Sequence, residues 1–319
     1  MSAPIGVLLL NLGGPAGPAE VAPFLRSLLA DPAVTGIPRP FSTLLARVIA
    51  ARRAPLVVER YRAIGGGTPL GRLTAMQAAA LGECLGPGFV VRYAFRHSAP
   101  RADTELAALH RAGARTVVAA PLYPQWSAST SGSALAEVRR LAPRRGLEVV
   151  EIAPFAAAPG FIDAVAARLA EVMSPGDHVV VAAHGLPERA VRAGDPYVGQ
   201  VRDTVAALAE RVPPGTTIGL AFQSRLGPVA WIRPYLDEEV RRLGAAGVRS
   251  LVVVPVSFVA ENLETLHELD IDLAGIAANA GITGFRRAAT VGSHPAFITL
   301  LARLVQESLG RHEEVQRVA

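Results

Sequence analysis

The chain has 319 residues, 50% apolar and 18% charged, which is too hydrophobic for disorder and long enough for two modest domains or one large one. Its 32 basic residues are all arginine, interspersed with 27 acids for a formal charge of +5, so the clustered basic stripe of a nucleic-acid-binding protein is missing while anionic small molecules remain admissible. The single cysteine, Cys84, excludes an intramolecular disulfide and any cysteine-rich zinc or iron-sulfur site and suits a reducing cytoplasm.

The first apolar run, 6–12, has no cation before it and is interrupted by Asn11, so it reads as a buried strand rather than a signal peptide. Further along, 88–95, 115–120, 147–151, 178–183, 217–222, 249–254 and 281–286 read as strands, with helix-length patterns in most intervals. Runs such as Val179-Val180-Val181 and Val252-Val253-Val254 have lost polar alternation, as strands covered on both faces do, which predicts an α/β fold with parallel sheets. The run Leu251–Ala260 contains Pro255 and Ser257 and falls well short of the ~20 residues of a spanning helix. No transmembrane segment is expected.

An internal repeat sets the domain count. Leu109, Ala112, Gly113, Arg115, Val118 and Pro121 recur at one offset as Leu243, Ala246, Gly247, Arg249, Val252 and Pro255. Two similar doubly wound, Rossmann-like domains of four parallel strands follow, 1–155 and 156–319, with the C-terminal helix free to pack back on the first half. Ligands are expected in an inter-domain cleft beyond the carboxyl ends of the strands.

His184-Gly185-Leu186-Pro187 follows the strand 178–183, placing an imidazole on a strand-end turn. In Gly194-Asp195-Pro196-Tyr197, Asp195 and Pro196 read as a helix N-cap and first helical position. After the strand 249–254 come Glu261, Glu264, Glu268 and Asp272. The last three share a helical face at i, i+4 and i+8 and repel one another. Such a ladder is either a solvated acidic face or a cation site, and its start beyond a strand's carboxyl end favours the second, with imidazole and carboxylates suiting an iron-like or zinc-like divalent metal. The loop Ile64-Gly65-Gly66-Gly67-Thr68-Pro69 offers backbone amides to an anion but lacks a P-loop lysine. Pro121-Leu122-Tyr123-Pro124-Gln125-Trp126-Ser127 brings aromatic rings to another strand end, for core packing or for stacking on a flat ligand. Arg52, Arg53 and Arg92 could pair with ligand carboxylates or with surface acids.

These segments, in this order, resemble the ferrochelatase family, which inserts ferrous iron into a porphyrin in haem biosynthesis. The resemblance is carried by Leu10-Asn11-Leu12-Gly13-Gly14-Pro15, Tyr61 to Pro69, Pro121 to Gln125 with Thr130 and Gly132-Ser133, Ala183 to Pro187 with Gly194 to Tyr197, Gln223-Ser224-Arg225 with Gly227 and Trp231, and Glu264 to Asp270. It implies a lyase-class enzyme in which His184 and Glu264 are the catalytic, metal-site pair and Glu268 and Asp272 extend an acidic metal path. Asn11, Leu12, Arg53, Thr68, Tyr123, Trp126 and Trp231 are implied porphyrin contacts. Asn262 stands where many members have a histidine, Trp126 replaces a usual tyrosine, and the four cysteines of the cluster found in some members are absent, so no prosthetic group is expected and iron is a substrate. The implied partners are porphyrin and ferrous iron, with no nucleic acid; the location is cytoplasmic, and peripheral membrane contact is compatible with the sequence. Alternatives are a chelatase for another tetrapyrrole and metal, such as cobalt, and a non-catalytic tetrapyrrole carrier. Protoporphyrin IX and coproporphyrin III are not distinguished, and oligomeric state leaves no trace in the sequence.

Overall fold

The computed structural model describes residues 3–225, 227 and 229–318. Eight parallel strands form two sheets: β1 (Ile5–Asn11), β2 (Phe89–Phe95), β3 (Thr116–Pro121) and β4 (Glu148–Glu151) in the order β2-β1-β3-β4, then β5 (His178–His184), β6 (Thr217–Gln223), β7 (Ser250–Pro255) and β8 (Gly284–Arg287) in the order β6-β5-β7-β8. The predicted α/β fold of two similar four-stranded sheets is therefore the observed one, and the sequence repeat is a repeat of topology. The paired residues Pro121 and Pro255 each end the third strand of their sheet.

The chain divides into two compact units, Met1–Tyr123 with Ser127–Pro154 and Ile298–Ala319, and Pro124–Trp126 with Phe155–Phe297. The C-terminal helix Pro295–Val318 thus gives most of its length to the first unit. In each unit the first strand is central and the chain runs outward from it in opposite directions, so the switch point lies between β1 and β3, and between β5 and β7. Open parallel sheets bind ligands beyond the carboxyl ends of the strands at such a switch point.

The central strands carry the cores. Val7, Leu8 and Leu9 in β1, and Val179, Val180 and Val181 in β5, have no exposed surface. Leu106, Leu109 and Val138 pack against the first sheet, and Val240, Leu243 and Leu269 against the second. Each such side chain stabilises its unit by about 1.5–3 kcal/mol relative to exposure. Leu269 belongs to the helix Glu264–Leu273. Burial of that helix's apolar side therefore anchors the side that carries carboxylates.

The glycine motifs of the first unit prove to be packing devices. A Cβ on Gly67 would stand 2.2 Å from the Ala16 carbonyl oxygen, and one on Gly14 2.9 Å from Thr68 Cγ2. Thr68 N–H donates to Pro15 O at 2.9 Å, and Gly66 N–H to Tyr61 O at 2.8 Å. Both amides are occupied by the chain itself.

One buried histidine gives the first unit a pH-dependent stability. His97 lies 4% exposed, its Nδ1 3.2 Å from Ser27 Oγ. Burial first, and the Arg96 charge second, push its pKa down to about 3 from 6.5, with Asp31 opposing. Above pH 6.5 the ring is neutral folded or unfolded and contributes nothing. As pH falls from 6.5 towards 3, the unfolded chain takes up a proton that the folded chain refuses, so stability is lost. At pH 5 the loss should be about 2 kcal/mol. Urea midpoints of wild type and His97→Gln should converge as pH falls; parallel pH slopes would contradict this.

Candidate active site

His184 is the last residue of β5, paired with Gln223 of β6, and it sits at the switch point of the second sheet. Its backbone is pinned from both sides. The amide donates to Ser257 Oγ at 3.1 Å, and Tyr197 Oη donates to the His184 carbonyl at 2.9 Å while lying 2.7 Å from Ser257 Oγ. Tyr197 is held in turn by its own amide, which donates to Asp195 Oδ1 at 3.1 Å. The Gly194 to Tyr197 run is therefore the support of the histidine turn.

The imidazole is set as firmly as the backbone. Its Nδ1 lies 2.7 Å from the Gly185 carbonyl oxygen, and because a carbonyl only accepts, Nδ1 carries the proton. The neutral ring then presents Nε2 as a bare lone pair. Phe258 stands edge-on to the ring at 5.9 Å. Gly185 must be glycine, since a Cβ would meet Gln223 O at 2.7 Å and Trp231 Cε3 at 3.1 Å. Trp231, 9% exposed and bridged to Pro187, is the wall behind this turn.

The carboxylates come from the segment after β7. Glu264 opens the helix Glu264–Leu273, which is wound as a π-helix rather than the α-helix that the spacing predicts. Such i→i+5 winding is rare and concentrates at functional sites. Burial holds Glu264's pKa above the usual carboxylate range, its interaction with His184 opposes this, and the Glu268 carboxylate adds to it. Glu264 is only half-buried by area, yet the surrounding protein displaces enough water for desolvation to dominate. Imidazole and carboxyl thus act on one another electrostatically.

The other rungs of the ladder have protein partners. Glu268 accepts from the Ser224 amide at 2.7 Å and from the Ser224 hydroxyl. Ser224 holds a left-handed φ of 66° to make both bonds, a cost that a β-carbon residue bears where surroundings enforce it. Asp272 Oδ2 lies 3.2 Å from His267 Nδ1. Among the described residues, no three His, Cys, Asp or Glu side chains converge to hold one ion. The ladder is a succession of separately held carboxylates.

Asn262 has a structural task. Its Oδ1 accepts from the Thr265 amide at 3.0 Å, and its own amide donates to Thr265 Oγ1 at 3.0 Å, a reciprocal cap on the first turn of the Glu264 helix. Asn262→Ala should cost about 1 kcal/mol, read as a lower urea midpoint. Asn262→His removes the same cap and should change turnover by less than about tenfold; a hundredfold gain would show that the position is catalytic.

Of the remaining predicted residues, Trp126 and Trp231 lie in the second unit with His184, Glu264, Glu268 and Asp272, while Asn11, Leu12, Arg53, Thr68 and Tyr123 lie in the first. Asn11 closes β1 as His184 closes β5, its Oδ1 accepting from the Leu12 amide at 2.8 Å. Thr68 Oγ1 accepts from the Leu70 amide at 3.3 Å. Tyr123 is buried, burial raises its pKa, and its hydroxyl lacks a hydrogen-bond partner among the described residues. Trp126 is partly exposed, its amide donating to Gln200 Oε1 at 2.7 Å. Arg53 is half-buried on the helix Phe41–Ala63, whereas Arg92 is paired with Glu105. A cavity of about 380 Å³ beside β2, lined by Ala78, Gly82, Val91, Arg92 and Glu105 among others, includes Arg92 of the predicted residues, whose guanidinium is already paired with Glu105. Ser224 and Ser257 were missed as site residues; the Gln223-Ser224-Arg225 run was a signal for the first, and nothing marked the second.

Two four-stranded parallel sheets of one topology form a fold that chelatases of known structure share. The structure described as SirB from Bacillus subtilis with Fe3+ matches at a TM-score of 0.61, covering 98% of both chains at 14% identity, a likeness of fold alone. Sequence carries the assignment further. The Ferrochelatase family matches residues 4–309. Ferrochelatase of Nostoc sp. is 40% identical over 96% of this chain and 83% of its own length, and that of Gloeobacter violaceus 39% identical over 97% and 98%. The chain belongs to the ferrochelatase family, and as a metal-porphyrin chelatase it inserts ferrous iron into a porphyrin in haem biosynthesis. None of its helices, among the described residues, is long and apolar enough to cross a membrane.

Proposed function

We propose that His184 and Glu264 carry out the insertion, His184 Nε2 accepting the two pyrrole protons in turn and passing each to solvent, and Glu264 presenting the ferrous ion. The reaction exchanges two pyrrole N–H protons for one dication, so it needs a base near neutrality and an anionic group beside it. The observation that carries the assignment is the 2.7 Å bond from His184 Nδ1–H to Gly185 O, which leaves Nε2 free for each proton. Glu264 must be ionised to attract iron, and its raised pKa makes the charged form easier to neutralise as metal leaves for the ring. Glu268 and Asp272 extend the acidic path by which iron arrives. Asn11, Leu12, Arg53, Thr68, Tyr123, Trp126 and Trp231 contact the porphyrin. Aromatic and apolar walls suit a macrocycle whose buckling exposes its nitrogen lone pairs.

The chain works without a prosthetic group, since one cysteine cannot supply a four-cysteine cluster. A cytoplasmic location is proposed. Contact with a lipid surface fits the exposed Phe41, Leu44, Leu45, Val48 and Leu56 of the helix Phe41–Ala63, which also exposes Arg47 and Arg52. Anaerobic incubation with ferrous iron and either protoporphyrin IX or coproporphyrin III, followed by visible absorption, tests the function and ranks the substrates. Binding of finished haem without turnover on either porphyrin would leave only a carrier role.

A further inference from the structure

The segment that bears Glu264 is tied to the edge of the second sheet through one side chain that the mechanism does not use. Arg287 ends β8 and is 10% exposed. Its Nε and Nη2 donate to the two oxygens of Asp270 at 2.6 and 2.8 Å, and its Nη1 donates to Glu261 Oε1 at 3.0 Å. Glu261 Oε1 also accepts from the Thr290 amide at 2.9 Å and the Thr290 hydroxyl at 3.1 Å. Glu261 precedes Glu264 by three residues and Asp270 follows it by six. We infer that Arg287 is a positioning residue for iron insertion, a clamp that locks both ends of the Glu264 segment to β8.

Three features support a positioning role over simple surface pairing. The guanidinium is shielded, and it grips Asp270 bidentately, the geometry that fixes direction as well as distance. It spans two carboxylates that would otherwise repel one another across the turn carrying Glu264. The π-helix has a second tie at Glu268, held by Ser224 after β6, so the segment is fixed to two strands. Lysine could keep the charge but could not make the fork to Asp270 while reaching Glu261. A displacement of about 1 Å at a reacting group can cost about a hundredfold in rate.

The inference rests on Glu264 serving as proposed above, and the two are separable by experiment. Asp270→Asn and Arg287→Lys are assayed anaerobically for ferrous-iron insertion, with porphyrin binding read by fluorescence and folding by thermal melts. The expected result is a fall in kcat of about tenfold in each variant, with porphyrin Kd within about threefold and the protein folded at the assay temperature. A merely structural pair would lower the melting temperature and leave kcat of the folded protein alone. Adding Asp270→Asn to Glu264→Asp, whose carboxylate is already displaced, should cost less than about threefold more. The clamp is overturned if both folded single variants keep kcat within threefold, or if the double variant shows the full product of the single losses. Should Arg287→Lys fail to fold, Asp270→Asn decides alone, because it leaves the Arg287 to Glu261 pair in place. If Glu264→Gln itself keeps turnover, the role of Glu264 falls first; if it loses turnover while Asp270→Asn does not, only the clamp falls.

Discussion

His184→Ala should fold, bind porphyrin and fail to insert iron. The imidazole projects from a turn whose backbone is held by Ser257, Tyr197 and Gln223, so removing the ring leaves those bonds intact and the fold undisturbed. General-base catalysis contributes about a hundredfold to ten-thousandfold, and the loss should fall in that range. Insertion within about tenfold of wild type, a barrier change under ~1.4 kcal/mol, would remove the assigned role. Porphyrin affinity, measured separately, keeps a binding defect from being mistaken for a catalytic one.

Glu264→Gln should lose at least about a hundredfold in kcat/KM for iron, because the amide keeps the shape and abolishes the charge. The same residue sets part of the pH dependence. Burial raises its pKa above the ordinary 4.5, so the working carboxylate forms only as pH rises through that elevated value. Activity at limiting iron should therefore climb with pH along an acid limb displaced upward from an ordinary carboxylate, and the limb should vanish from the residual activity of Glu264→Gln. An unchanged limb in that variant would assign the titration to another group. Glu264→Asp should retain the limb at a reduced rate, since it keeps the charge at a shorter reach.

Much of this was legible in the chain because parallel β/α architecture writes itself locally. Doubly covered strands must be apolar on both faces, so runs such as Val179 to Val181 and Val252 to Val254 identified themselves, and the repeat from Leu109 to Pro121 and Leu243 to Pro255 announced the duplicated topology. The strand-end position of His184 and the four-residue spacing of Glu264, Glu268 and Asp272 followed from the same periodicity. What the sequence could not contain was the set of partners brought together from distant segments. The tautomer of His184 depends on a turn closing on Gly185 O, Glu268 on a left-handed Ser224, and the hold on the Glu264 segment on Arg287 of β8. The winding of Glu264–Leu273 likewise departs from the local α-helical expectation. Periodicity reports which face of an element is buried, because burial is a property of one segment in an average environment; hydrogen-bond geometry and pKa are properties of particular atoms a few ångströms apart, and only the folded chain sets those distances.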